Sequence, residues 1–328
     1  MIDREAGAGE PRKSGRVDAV DCARGLALLG MAAYHLIWDL ADFRLVSPML
    51  PFSPPMRLLS HGVASAFLAL VGVSLALAHR DRLNLPAFWR RLAVVAGAAA
   101  LVTAGSLVFA PGQAIWFGIL HCIAAASLVA LPFVRAPAWA SLLAGAAAIA
   151  LPVFVHSPLF DPPALLWLGL GEALPNTLDW YPLLPWAGVV LAGLGAARLP
   201  GAVSRLTSPW RWRAKLLPAR AVCFAGRHSL AVYLLHQIVF LYPLVWVIAR
   251  SGLVVALPPP RPDFGVFLAE CERACSARGQ RPDDCAASCR CVADVIGRSG
   301  EADRLARLDD QRRADLKRMA DACMGRNW

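Results

Sequence analysis

Charged residues are scarce in this chain. Lys, Arg, Asp and Glu make up 17% of its 328 residues, against about 25% in soluble proteins. Hydrophobic residues make up 57%. The sequence has no phosphate-binding P-loop, no dinucleotide-binding fingerprint and no internal repeat. This composition excludes a disordered, collagen-like or coiled-coil chain, and it predicts that most of the chain lies in a membrane.

Long apolar runs divide most of the chain into candidate membrane spans. Each run is close to the ~20 residues that a helix needs to cross a bilayer, and short polar or Pro-rich links separate the runs. We therefore predict an all-α, polytopic transmembrane bundle of about seven spans within residues 23–250. The predicted spans lie near 23–41, 57–78, 92–110, 115–134, 137–155, 181–199 and 222–249.

The positive charges predict the orientation of these spans. Sixteen Lys and Arg residues lie in the head and in alternate links, whereas the other links carry only Arg44 and Arg57. Lys and Arg accumulate in cytoplasmic loops, so we expect the N-terminal segment 1–22 in the cytoplasm. Seven spans then place the C-terminus outside. Topology thus explains the net charge of +10, and a nucleic-acid partner is not expected.

The composition changes near residue 250. A Pro-rich linker is expected over 251–262, followed by a polar tail, 263–328, that holds six of the nine cysteines. Four of them form two C-x3-C pairs, and each pair lies on one face of a helix. Two facing helices would favour Cys271–Cys289 and Cys275–Cys285 and leave Cys291 and Cys323 to pair, although six cysteines allow fifteen connectivities.

A metal site is the rival interpretation of the tail cysteines. The tail contains no His and no C-x2-C spacing, and an external tail lies where disulfides persist. We therefore predict disulfides and no metal. The tail is a candidate surface for an envelope protein partner or a second copy of the chain, or else a mobile segment. The other three cysteines, Cys22, Cys122 and Cys223, are expected to be small apolar packing residues.

Histidines inside the spans carry the functional signal, because ionisable groups in a bilayer core are expensive and often functional. His35 lies eleven residues beyond Arg24, or about 16 Å deeper, and His236 lies about 13 Å beyond Arg227. His121 lies about 9 Å from the outer end of its span. The three are predicted to converge in one polar pocket.

Each of these residues also has an ordinary explanation. A His in a helix bundle is often a hydrogen-bonded packing residue, and arginines at a membrane edge can simply reach the interface. Asp18 and Asp21 can form a solvated helix start. The remaining polar and aromatic residues can form an interfacial belt; they are Asp179, Trp180, Tyr181 and Trp186.

Five motifs resemble one known family. In chain order they are RVDAVDCARGLALLGMAAYH, FLALVGVSLALA, WFGILHCIAAASLVALPF, WYPLLPWAGVVLAGLGAARL and GRHSLAVYLLHQIVF. Over roughly 15–250 the chain resembles the bacterial branch of the heparan-alpha-glucosaminide N-acetyltransferase catalytic domain family. That family is similar to a broader membrane acyltransferase superfamily, in which an Arg, ten residues and a His mark the first span. Arg24 and His35 have this spacing.

The resemblance implies a multi-pass bacterial inner-membrane enzyme that transfers an acetyl group from cytosolic acetyl-CoA to a sugar or glycan outside. In the lysosomal enzyme, which acts on terminal glucosamine, the catalytic His follows the first span. Residues 42–55 contain no His here, and the lysosomal first span carries Asn where this chain has His35. The catalytic residue and the acceptor are therefore not carried over.

Acyl transfer needs a base or a nucleophile, and imidazole suits either task. We predict His35 as the first catalytic candidate, His236 as its partner and His121 as lining the acceptor side. Arg24 and Arg227 are predicted to bind the phosphates of acetyl-CoA. The predicted supporting residues are Asp39, Tyr233, Gln237 and Trp186. The alternatives are a proton-coupled carrier, which also uses buried His and Arg, and a non-catalytic envelope assembly protein.

Overall fold

Helices form wherever the sequence has a long apolar run. The computed structural model describes residues 17–80, 82–202, 216–252, 265–276, 280–299, 318 and 322–323, and no strand occurs among them. The α-helices are α1 Asp18–Asp42, α2 Pro54–Ala78, α3 Leu85–Phe109, α4 Ile119–Ala130, α5 Ala138–Phe154, α6 Pro163–Leu166, α7 Leu183–Ala197, α8 Leu217–Arg227, α9 Ser229–Leu235, α10 Tyr242–Arg250, α11 Gly265–Ser276 and α12 Pro282–Ser299. A π-helical segment, His236–Leu241, joins α9 to α10, and 3-10 turns cover Leu50–Phe52, Pro111–Gln113, Leu131–Val134 and Pro158–Phe160.

Four described helical stretches are long and apolar enough to cross a membrane. They are α1, α2, α3 and the continuous stretch Ser229–Arg250, each of 22 to 25 residues. Three shorter apolar stretches, Ile119–Val134, Ala138–Phe154 and Leu183–Ala197, occupy the other predicted spans. Large apolar side chains such as Leu101, Val108 and Phe154 are exposed on these helices, as expected for surfaces that contact lipid. The all-α membrane fold is confirmed.

The seventh predicted span, 222–249, is wrong at its start. α8 ends at Arg227, and His228 leaves the helical conformation with φ −105° and ψ 29°. The apolar helix begins only at Ser229. The physical reason is that α8 carries Arg220 and Arg227 and is amphipathic, so its residues do not continue the apolar run.

α7 lies at the centre of the main core. It packs against α2, α4 and α5, and its Val190 and Leu194 are fully buried with Leu68 of α2. Glycines allow these close contacts: a Cβ on Gly188 would lie 2.6 Å from the carbonyl oxygen of Gly145 in α5. Small residues at helix contacts are typical of membrane bundles.

α1 and α8 approach each other even more closely. A Cβ on Gly25 would overlap the carbonyl oxygen of Val222, and one on Gly226 would overlap that of Asp21. Between these contacts, Cys22 and Cys223 face each other with their Cα atoms 4.0 Å apart. Both are buried small residues, as expected, and the glycines bring the two helices together at this point. Cys122 is a buried free thiol.

The chain divides into two compact units, Met1–Ala256 and Leu257–Trp328. In the second unit α11 packs against α12. Its disulfides are Cys271–Cys289, Cys275–Cys285 and Cys291–Cys323, which are the pairs that the C-x3-C geometry favoured. Most of the predicted N-terminal segment, the prolines of the linker and much of the far tail lie outside the described residues.

Candidate active site

Two of the predicted histidines contact each other inside the bundle. His35 comes from the C-terminal half of α1, and His236 is the first residue of the π-helical segment. Nδ1 of His35 lies 2.6 Å from Nε2 of His236, and the two rings are stacked with centroids 4.9 Å apart. His236 is buried at 7% exposure. We call this contact the histidine pair.

The hydrogen-bond partners assign the protons of the histidine pair. Nδ1 of His236 lies 2.7 Å from the carbonyl oxygen of Tyr233. A carbonyl only accepts, so this nitrogen carries the hydrogen and Nε2 of His236 holds the lone pair. His35 then donates from Nδ1, which leaves its own lone pair on Nε2. Nε2 of His35 is thus the basic atom of the pair.

A second contact lies one helical turn further along α1. Nε2 of Gln237 donates to Oδ1 of Asp39 over 2.6 Å. Asp39 is only 3% exposed. Two residues of α1 that are four apart therefore contact two consecutive residues of the π-helical segment. Segments of π-helix are rare and often occur at functional sites.

The predicted donor-binding arginines meet at the N-terminal end of α1. Nε of Arg227 lies 3.1 Å from Oδ2 of Asp21, and its Nη2 lies 2.8 Å from Oδ1 of Asp18. Arg24 pairs with Oδ1 of Asp21 at 3.4 Å and also donates to Oγ of Ser74. Asp21 is 6% exposed, so it is not part of a solvated helix start. We call this group the inner charge cluster.

Arg91 of α3 is a residue that sequence reasoning used only for topology. It lies close enough to Arg24 for the two guanidinium groups to repel each other. It also lines a small cleft with Phe88, Leu92 and Ser127. Two neighbouring cations are a common arrangement for binding phosphate. No spacing signal in the sequence could have found this pair, because α1 and α3 are distant in the chain.

His121 belongs to a different polar group. Its Nε2 lies 3.2 Å from Oγ1 of Thr103, and its Nδ1 accepts from the backbone N–H of Gly118 over 3.3 Å. The predicted convergence of three histidines is therefore reduced to the pair of His35 and His236. The reason is that His121 lies in the first turn of α4, where it turns back to bond the start of its own helix.

Asp179 is more than a belt residue. Its Oδ2 accepts from the backbone N–H of Ile119 over 2.9 Å and so satisfies a donor at the start of α4. Burial raises the pKa of this carboxyl to about 6, opposed by the hydrogen bonds from Ile119 and Trp180. The loop before α7 is thereby attached to the start of α4. This function depends on a contact 60 residues apart in sequence, which no local pattern predicts.

The two predicted aromatic supporting residues lie in different places. The Tyr233 ring is 6.0 Å from the ring of His236, and the backbone carbonyl of Tyr233 orients that histidine. Trp186 instead contacts His61 and Tyr181, with ring centroids 5.9 Å and 5.1 Å away. Trp186 therefore supports the outer packing of α2 and α7 rather than the histidine pair.

The comparisons give the family of this chain. Residues 16–238 match the family described as heparan-alpha-glucosaminide N-acetyltransferase, catalytic. The chain belongs to this family. The matched range includes both members of the histidine pair and the inner charge cluster. No curated protein and no solved structure matches the chain.

The N-acetyltransferase family and the apolar helices fit a membrane acyltransferase. Within the ranges that the structure describes, no three His, Cys, Asp or Glu side chains are placed to hold a metal ion. The histidine pair provides a basic nitrogen inside the bundle. The inner charge cluster provides cations at the N-terminal end of α1.

Proposed function

We propose that this protein is a bacterial inner-membrane acyltransferase that moves an acetyl group from cytosolic acetyl-CoA to a sugar or glycan on the periplasmic side. The observation that carries the proposal is the histidine pair, in which His236 accepts from Nδ1 of His35 and leaves Nε2 of His35 basic. The family match supports the same class of reaction.

His35 acts as the general base of the transfer. Its Nε2 takes the proton from the acceptor N–H or O–H while the acceptor atom bonds to the acetyl carbonyl carbon. The carbon–sulfur bond of the thioester breaks, and CoA leaves as a thiolate that takes the proton from Nε2 of His35, which returns the histidine to its basic form. The imidazolium that forms on His35 is stabilised by its bond to His236, which the carbonyl of Tyr233 holds in position.

The two substrates approach the histidine pair from opposite sides. His35 lies eleven residues from Arg24 along α1, which is about 16 Å at 1.5 Å per residue. Arg24, Arg227 and Arg91 bind phosphates of the donor at the cytoplasmic end. The acceptor enters from the C-terminal end of α1, where the chain places Asp39 and Gln237.

Labelled acetyl-CoA tests this proposal. Inverted membrane vesicles that contain the full chain should transfer label from acetyl-CoA to envelope material and release free CoA in proportion. Vesicles with His35→Ala serve as the matched negative control. Proton or solute movement without CoA release would favour the carrier alternative, and neither activity would favour an assembly protein.

A further inference from the structure

The hydrogen bond between Asp39 and Gln237 uses one polar atom of each side chain. The other two, Oδ2 of Asp39 and Oε1 of Gln237, are buried and have no hydrogen-bond partner among the described residues. Buried oxygen acceptors without a partner reduce stability. Two such atoms at one contact therefore indicate a place where a ligand completes the hydrogen bonding.

The chemistry of these atoms restricts the ligand. Both are acceptors, so they require a group with hydrogen-bond donors. In the described part of the chain, no Lys or Arg forms an ion pair with Asp39. Asp39 is 3% exposed, and removing a carboxylate from water is costly, so a single amide contact leaves this carboxylate incompletely stabilised.

The position of the contact relates it to the histidine pair. Asp39 is one turn beyond His35 on α1, and Gln237 directly follows His236. Donor groups held by these oxygens would lie about one helical turn from His35 along α1. They would also lie on the side of His35 opposite the inner charge cluster.

We propose that Asp39 and Gln237 form an acceptor subsite that binds hydroxyl or amino groups adjacent to the group that is acetylated. This inference rests on the proposed acetyl transfer. It assigns the acceptor class as a polyhydroxylated molecule with neighbouring donors, as on a pyranose ring. The subsite fixes the register of the acceptor, so that the reacting group faces His35.

The test uses vesicles that contain the full chain, labelled acetyl-CoA as donor and methyl α-D-glucosaminide as the acceptor probe. Asp39→Asn keeps the acceptor atom for Gln237 but replaces Oδ2 with a donor. We expect the KM for the glucosaminide to rise about tenfold to a hundredfold, with the KM for acetyl-CoA within about twofold of its original value. Asp42→Asn is the matched control, because Asp42 is an exposed carboxylate three residues along the same helix.

Acceptor analogues provide a second measurement on the unaltered protein. The 3-deoxy, 4-deoxy and 6-deoxy glucosaminides each lack one donor. We expect one of them to lose about as much kcat/KM with the wild-type chain as Asp39→Asn loses with the full probe. For that analogue, kcat/KM should be nearly the same with Asp39→Asn as with the wild-type chain, because the contact that the substitution removes is already absent.

The outcomes separate this inference from the proposed function. Transfer to envelope material with no labelling of the glucosaminide would overturn the sugar subsite and leave the acetyltransferase. If Asp39→Asn raises the KM for the glucosaminide and the KM for acetyl-CoA equally, Asp39 is a structural residue and the subsite is overturned. The same conclusion follows if the losses of kcat/KM from the substitution and from each of the three deoxy analogues are additive. No transfer to any acceptor by the wild-type chain would overturn both.

Discussion

The acidic residues at the two ends of α1 differ in how completely their carboxylates are paired. At the N-terminal end, Asp18 and Asp21 are paired with arginines, and both carboxylate oxygens of Asp21 have a partner. At the C-terminal end, Asp39 makes one bond to a neutral amide, and its second oxygen has no partner among the described residues. Both carboxylates are buried, with Asp21 at 6% and Asp39 at 3% exposure.

This difference is one between complete and incomplete pairing of buried carboxylates within one helix. A carboxylate with complete pairing holds elements together, here α1 and α8. A buried carboxylate with incomplete pairing still has an acceptor atom to which a ligand can donate. The histidine pair lies between these two ends, so a donor held at one end and an acceptor held at the other would meet there.

The largest expected effect comes from the residue between the two ends. His35→Ala should lower acetyl transfer at least about a hundredfold, because the general base is lost. His61→Ala is the control, since His61 is exposed and its ring lies against Trp186 rather than against the histidine pair. Near wild-type transfer by His35→Ala, with loss of transfer in His121→Ala, would place the reacting centre nearer the outer face.

The inner end gives the next largest effect. Arg227→Gln should raise the KM for acetyl-CoA about tenfold, because one charge-assisted phosphate contact is removed, and it should lower the melting temperature by about 3 °C. Arg227→Gln with Asp21→Asn should recover the stability but not the KM.

Arg250→Gln is the matched control for the inner end, since this arginine stacks on Trp246 far along the last span. If the double variant recovers the KM as well, the inner charge cluster is structural and does not bind the donor.

A loop carboxylate gives a smaller effect that depends on pH. The pKa of Asp179 is about 6 in the folded chain and 3.8 as its ordinary value. Between these values the folded state binds the proton more tightly than the unfolded state does. The free energy of unfolding therefore falls as the pH rises through this window. Asp179→Asn keeps an acceptor for Ile119 and has no such loss.

The melting temperature of Asp179→Asn relative to wild type should therefore be higher at pH 7.5 than at pH 4.5. The corresponding change in the free energy of unfolding between these two pH values should be at most about 2 kcal/mol, at about 1.4 kcal/mol per pH unit from pH 4.5 to the pKa of about 6. Glu172→Gln is the control for removing a negative charge from the same loop. If the melting temperatures of Asp179→Asn and wild type differ by the same amount at both pH values, the pKa of Asp179 is not raised by burial.

The tail should have the smallest effect on transfer. Cys271→Ser with Cys289→Ser should leave the rate within about twofold, because every residue named in the proposed site belongs to the first unit. On intact cells, an impermeant maleimide should label the tail only after reduction. Thiols at Cys271 or Cys285 that react from the cytoplasm without reduction would contradict both the pairing and the predicted topology.

Local patterns predicted more of this molecule than long-range contacts did. The apolar runs gave the helices, and the i,i+4 cysteines gave the tail pairs, because both depend on the periodicity of one or two neighbouring helices. The similar predicted depths of His35 and His236 in the membrane led to the expectation that the two side chains lie close together, as they do. The contact between Cys22 and Cys223 spans 201 residues and depends on two glycines, whose effect appears only when α1 and α8 are packed.

The π-helical segment has a consequence for how the last span can vary. An α-helix turns by about 100° per residue, and a π-helical turn accommodates one residue more than an α-helical turn over a similar height. Deleting one residue from 238–241 would restore α-helical hydrogen bonding. His236 would stay in contact with His35 of α1. It would also rotate every lipid-facing residue of α10 by about 100°. The extra residue therefore separates two parts of the span. The rotation of the part with His236 about the helix axis is fixed by its contact with α1, and the rotation of α10 is fixed independently by its contact with lipid.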